Sequence, residues 1–226
     1  MKPSFAQRLL LFGCCLFSFT YFLSGQNRSQ EQRFGAGLIA GVTASQIDGD
    51  ESAGYNKLGL QAGARGIVRL TKRTDASVEI LYTQRGAKSR FVKDRFDPSV
   101  PYSIRLDYIE IPVQWHFKDW RVDGEGRAPD WYKASFNIGL MFARYMGAGK
   151  PKGEVMGLDI VANDYLKRND LSFVIGANLL TSPHFGFTFR YMRSLFSMYD
   201  PRDYNPAPYQ NSLISHALNF QMFYLF

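Results

Sequence analysis

Residues 104–117 read IRLDYIEIPVQWHF. From Tyr108 onward the stretch alternates: Ile109, Ile111, Val113, Trp115 and Phe117 are apolar, and Tyr108, Glu110, Pro112, Gln114 and His116 fall between them. A period of two is that of an extended strand, whose successive side chains point to opposite faces, and no helical face collects such a set. The stretch therefore predicts a strand with one fully apolar face.

Seven further segments carry the same alternation. FGAGLIAGVTAS starts at Phe34, KLGLQAGARGIVRL at Lys57, ASVEILYTQRG at Ala76, WYKASFNIGLMFARY at Trp131, LSFVIGANLL at Leu171 and HFGFTFRYMRS at His184. SHALNFQMFYLF, Ser215–Phe226, closes the chain, with Leu218, Phe220, Met222, Tyr224 and Phe226 on one face. The 226 residues include 19 Phe, 13 Tyr and 20 Gly, a composition that disfavours helix and suits strands joined by turns.

The occupants of the second face decide where the apolar face points. That second face holds Gly, Ser, Thr, Asn and Gln with a few charges of both signs, Arg65, Glu79, Glu110 and Arg190. Small residues with compensating charges suit a crowded lumen, whereas a free surface is usually rich in Lys and Glu. The other face is nearly free of charge over about 10 residues per strand, the length that crosses a bilayer at a tilt. The fold expected is all-β, an eight-stranded antiparallel up-and-down transmembrane barrel with its apolar face in lipid.

Loop lengths agree. The connections expected are 46–56, 71–75, 88–103, 118–130, 147–170, 182–183 and 195–213, with the long ones first, third, fifth and seventh. That is the long-outside, short-inside rule of outer-membrane barrels, although 118–130 is longer than the rule favours. An even strand count returns the C-terminus to the side of the N-terminus, where the last strand pairs with the first and leaves no edge in lipid.

Lys2 and Arg8 precede the uncharged run LLLFGCCLFSFTYFL, Leu9–Leu23, followed by Ser24 and Gly25. This order predicts a cleaved secretory signal over residues 1–25, with the barrel domain over 26–226. Both cysteines, Cys14 and Cys15, lie in the run, so the mature chain has no disulfide or cysteine metal site. Without Lys2 and Arg8 the balance is 25 basic to 20 acidic residues, about +5, spread along the chain with no nucleic-acid motif; nucleic acid is not an expected partner.

GLIAGVTASQIDGD, LGLQAGARGIVRL, SVEILYTQRGAK and LDYIEIPVQWHF, in this order, resemble the PorT-like outer-membrane β-barrel family of the Bacteroidota, with YIEIP the most distinctive element. The resemblance spans the mature chain and implies the barrel fold, the bacterial outer membrane and, through the family name, an accessory part in type IX protein secretion. The alternating C-terminal set Phe220, Met222, Tyr224 and Phe226 resembles the signal read by barrel assembly machinery, which is thereby an expected partner during biogenesis.

Arg65, Glu79, Glu110 and Arg190 are expected to form a structural ion network that fills the lumen, because an eight-stranded barrel is about wide enough for its own side chains. A proton path or a paired-carboxylate hydrolase would use the same residues, but no catalytic motif accompanies them. His116, His184 and His216 lack ligand spacing, and no metal or cofactor is expected. Trp115, Trp120 and Trp131 suit an interfacial aromatic belt. Lys88, Arg90, Lys93 and Arg95 place four cations in a short part of the third connection, facing either lipopolysaccharide phosphates or water. The function expected is non-enzymatic: a filled barrel with structural, adhesive or assembly-related roles through its outer loops. The alternatives are a small solute channel, an accessory component of type IX secretion, and a soluble lipocalin-like carrier.

Overall fold

A chain of strands with one apolar and one polar face separates the two by closing on itself, and each of the eight segments becomes a strand of one closed sheet. The computed structural model describes residues 33–50, 54–88, 102–124, 130–149, 165–207 and 210–226. The expected leader with Cys14 and Cys15 lies outside the described residues, as do Arg90, Lys93 and Arg95.

The strands are β1 (Phe34–Asp48), β2 (Lys57–Arg69), β3 (Thr74–Lys88), β4 (Ser103–Val122), β5 (Trp131–Ala148), β6 (Asn169–Leu180), β7 (Phe185–Ser194) and β8 (Ile214–Leu225). They pair in chain order, all antiparallel, and β8 returns to β1 from Gly37↔Leu225 to Asp48↔Ile214, so the barrel is closed. Closure leaves no strand edge to be satisfied in lipid. The last backbone N–H continues the seam, Phe226 N donating to Ala36 O at 2.9 Å.

Two tight turns mark one end of the barrel. Leu70 N and Thr71 N both donate to Thr74 O, and Thr181 N donates to Phe185 O at 2.9 Å. Phe34 and Phe226 lie at this same end. By the rule that periplasmic turns are short, this end is periplasmic and the other extracellular.

The fourth connection differs from the expectation of 118–130. β4 and β5 stay paired through Arg121↔Tyr132 and Val122↔Trp131, which leaves only 123–130 between them. Side chains hold this ribbon beyond the rim: Arg121 pairs with Asp130, and Gly124 N donates to Asp130 Oδ1 at 3.0 Å. Trp120 sits in the left-handed region at φ 56°, with its N–H on Asp119 Oδ1 at 2.8 Å and the Lys133 ammonium 4.6 Å from its ring centre.

The faces fall as the alternation requires. Leu38, Leu60, Ile80, Val113, Leu140, Ile175, Phe189 and Phe220 are exposed on the outside, while Thr43, Gln61, Glu79, Gln114, Asn137, Asn178, Arg190 and Gln221 are buried within. Inward glycines allow the wall to curve tightly. A Cβ on Gly63 would lie 2.0 Å from Ile80 O, and one on Gly139 would lie 2.1 Å from Val113 O. Any side chain there would push neighbouring strands apart. Pro112 is accommodated within the wall because the β3–β4 ladder passes from Val78↔Val113 to Leu81↔Glu110 and skips the two pairs at Pro112 and Ile111, the proline having no N–H to donate.

The lumen is not polar throughout. Above the middle, Met141, Val174, Met192 and Ala217 pack together, and at the extracellular mouth Ile47, Ile104, Leu106, Tyr145, Leu166, Met198 and Tyr199 form an apolar cap. The cap is fastened by Met198 N on Leu213 O and Lys167 N on Met198 O, both 2.8 Å, and by the stacked rings of Tyr199 and Tyr204, 5.5 Å apart.

Candidate functional site in the lumen and at the rim

Period two directs every second side chain of every strand into the same narrow space, so charges far apart in the sequence meet there. Glu79 on β3 is the hub of a lower cluster. Arg65 on β2, its registered neighbour, donates Nε to Glu79 Oε1 at 2.8 Å. Arg190 on β7 reaches the same carboxylate with Nη1 on Oε2 and Nη2 on Oε1, each 3.0 Å. Gln114 Nε2 adds a bond at 3.0 Å.

Glu110 belongs to a second, upper cluster centred on Arg85. Arg85 Nε donates to Glu110 Oε1 at 2.6 Å and Nη1 to Asp170 Oδ2 at 3.2 Å. Ser172 and Ser194 donate to the same Asp170 oxygen at 3.0 and 2.9 Å. Arg85 and Asp170 were not among the expected site residues, although Arg85 shares the face of Glu79 at period two and Asp170 shares that of Ser172.

Amides extend both clusters with their donors directed at the carboxylates. Gln61 Nε2 donates to Glu110 Oε2 at 3.1 Å, and Gln221 in turn donates to Gln61. Asn137 donates to Gln114, and Thr188 Oγ1 donates to Asn178 Oδ1 at 2.6 Å. The lower cluster holds two guanidiniums and one carboxylate, the upper one guanidinium and two carboxylates, so the lumen is neutral as a whole. Each carboxylate is already engaged by a guanidinium, which suits holding charge rather than transferring protons.

The remaining expected residues fall in separate places. His116 meets Ser77 Oγ at 2.7 Å in the lower lumen, His184 meets Leu225 O at 2.9 Å at the periplasmic end, and His216 meets Asp48 at 3.1 Å on the outer face. Among the described residues no group of His, Cys, Asp or Glu is arranged to hold a metal. Phe220, Met222, Tyr224 and Phe226 line the outer face of the closing strand, and Lys88 is exposed at the end of β3.

A ring of polar residues ends the apolar belt on the extracellular side. Gln46 pairs with His216 and His216 with Arg193; Arg144 pairs with Asn169; Gln84 pairs with Asp107. By strand parity all lie on the outward face, and each lies at the extracellular end of its strand's apolar run, Gln46, Gln84, Arg144 and Arg193 after it in the chain and Asp107, Asn169 and His216 before it.

Belt, lumen and rim together define a barrel whose strands cross a membrane. The chain matches the outer membrane protein beta-barrel domain family over residues 24–200 and belongs to that family, which places it in the bacterial outer membrane. No curated protein matches the chain. Solved structures similar to it include Ail, the attachment invasion locus protein of Yersinia pestis, in complex with the heparin analogue sucrose octasulfate, at 10% identity over 86% of this chain and 100% of that one, with a TM-score of 0.44. Neisserial surface protein A is similar at 10% identity over 85% and 97%, TM-score 0.41, and a de novo designed transmembrane barrel at 11% over 87% and 98%, TM-score 0.39. Likeness at this distance transfers no property of those proteins to this chain.

Proposed function

We propose that the protein is a non-enzymatic, non-conducting barrel, PorT-like in kind, that serves structural, adhesive or assembly-related contacts from its extracellular side. One observation carries this reading: the lumen is occupied across its width by paired side chains, with Arg85 and Arg190 fully buried and the apolar cap above them. An aqueous path needs polar groups that water reaches; here the charged groups are spent on one another, and the buried polar atoms left over, Thr43 Oγ1, Asn219 Oδ1 and Gln221 Oε1 among them, are closed off from solvent. Mature protein in planar bilayers is expected to give no discrete openings. Stable unitary currents from pure protein would replace this reading with that of a channel.

The C-terminal strand supports a role for assembly machinery as a partner in biogenesis. Phe226 is 68% exposed and makes a single backbone bond to β1, so its removal leaves the rest of the β1–β8 ladder intact. Deletion of Phe226 is expected to lower the folded barrel recovered from outer membranes while folding into detergent micelles proceeds nearly as in the full chain. An equal loss in both settings would assign Phe226 to strand energetics alone.

A further inference from the structure

We propose that the lumen holds a sealed water-binding site on β1, β7 and β8, formed by Thr43, Arg190, Asn219 and Gln221, with ordered water as a permanent part of the folded barrel. This goes beyond the reading of a non-conducting barrel, since it concerns an isolated site and not a path.

Among the described residues, six buried side-chain atoms lack a hydrogen-bond partner. Two of them, Arg65 Nη2 and His216 Nε2, still stand against a carboxylate, at 2.7 Å from Glu79 Oε1 and 3.1 Å from Asp48 Oδ1. The other four, Thr43 Oγ1, Arg190 Nε, Asn219 Oδ1 and Gln221 Oε1, belong to three neighbouring strands. Thr43 is registered with Asn219 and Asn219 with Arg190, and Gln221 follows Asn219 by two residues on the same inward face. None of these residues is more than 2% exposed.

Neighbouring bonds fix what two of these atoms can do. Gln61 Nε2 donates to Thr83 Oγ1 at 2.8 Å and to Glu110 Oε2 at 3.1 Å, so Gln61 Oε1 is the acceptor for Gln221 Nε2. Gln221 Oε1 is thereby held as an acceptor at the end of an amide chain that starts on a carboxylate. Arg190 places both terminal nitrogens on Glu79, each at 3.0 Å, which turns its Nε–H away from that carboxylate.

The set calls for a small neutral molecule that both donates and accepts. The two amide oxygens repel an anion, and the Arg190 guanidinium, in a cluster of two guanidiniums to one carboxylate, repels a cation. Water accepts from Arg190 Nε, donates to the amide oxygens and shares a bond with the Thr43 hydroxyl, within the two to four partners usual for a buried water.

Apolar layers isolate the site. On β1 and β8 the inward pairs run Ser45↔Ala217, Thr43↔Asn219, Gly41↔Gln221 and Ile39↔Phe223. Ala217 packs with Met141, Val174 and Met192 on the extracellular side, and Ile39 and Phe223 pack with Leu81 on the periplasmic side. Gly41 adds no side chain to the space between these layers.

Crystals of the mature barrel are expected to show ordered water within hydrogen-bond distance of Arg190 Nε and of at least two of the three oxygens, separate from solvent at either mouth. Thr43→Val keeps the β-branched shape and removes only the hydroxyl. It is expected to lower the folded-to-unfolded ratio in micelles about fivefold, the loss of one hydrogen bond. A hydroxyl without a partner would give the opposite sign, because its replacement by a methyl group relieves a desolvated polar atom. Direct side-chain bonds joining the four atoms with no water between them, a Thr43→Val ratio equal to or above that of wild type, or a continuous file of water to either mouth would each overturn the proposal, the last whether or not the protein conducts in planar bilayers.

Discussion

Replacing Glu79 by alanine is expected to destabilise the folded barrel by about 3–5 kcal/mol, because it removes the one carboxylate that neutralises two buried guanidiniums. Arg65 and Arg190 both end on Glu79, and all three side chains are within 2% of complete burial. With the carboxylate gone, two positive charges remain in a confined space with no bulk water to solvate them and with each other for neighbours. Gln114 would also lose its acceptor at 3.0 Å. Urea unfolding in micelles, followed by the change in gel mobility between folded and unfolded barrel, measures the loss. Replacing all three charges together by apolar residues of similar volume is expected to cost less than Glu79→Ala alone, since no orphaned charge remains. A single variant milder than the triple would show that bulk water reaches this part of the lumen, and with it the reading of a closed interior would fail.

The strands and their lipid face were legible because one physical rule, period two, governs both. Ile109, Ile111, Val113, Trp115 and Phe117 need no partner to be recognised as a face. The pairing inside the lumen was legible only in part. Arg65 and Glu79 are registered neighbours on adjacent strands, but Arg190 is 111 residues from Glu79 and meets it only because the sheet closes. Asp170 reaches Arg85 in the same way, from β6 to β3 across the barrel, which is why Glu110 was expected with the first group and instead belongs to the second.

The apolar cap was hidden for a different reason. In β4 the apolar positions are Ile104 and Leu106 before the belt and Ile109 to Phe117 within it, so the phase shifts by one residue around Tyr108. The structure gives the shift its meaning: Ile104 and Leu106 point inward above the membrane, and the outward Arg105 and Asp107 beside them meet headgroups and water. A rule that equates apolar with lipid-facing along a whole strand misses this inversion, although the inversion itself is written in the sequence and marks where the bilayer ends. The fourth connection was misjudged because strands read by belt length stop at Phe117, while backbone pairing carries β4 to Val122.

The assignment of the outer face to lipid leads to the second large effect, at Val113. This residue is the centre of the outward run on β4 and is 52% exposed in the barrel itself, so its surroundings are whatever surrounds the barrel. Val113→Arg is expected to destabilise the protein in lipid bilayers by about 2–4 kcal/mol, the range for a guanidinium near the midplane of a membrane barrel. Phe117→Arg, four residues nearer the periplasmic rim on the same face, is expected to cost no more than about 1 kcal/mol, because there the charge snorkels to the headgroups. Both substitutions leave the lumen untouched, since Gln114 and His116 point the other way and keep their bonds to Glu79 and Ser77. Depth is thus the only variable that separates them, and a soluble domain has no depth to report. Equal small losses at Val113 and Phe117 would mean that water, not hydrocarbon, meets this face. A steep difference between them would fix the midplane of the bilayer on β4 and, through the registered pairs Val78↔Val113 and Val113↔Leu140, on the two strands beside it.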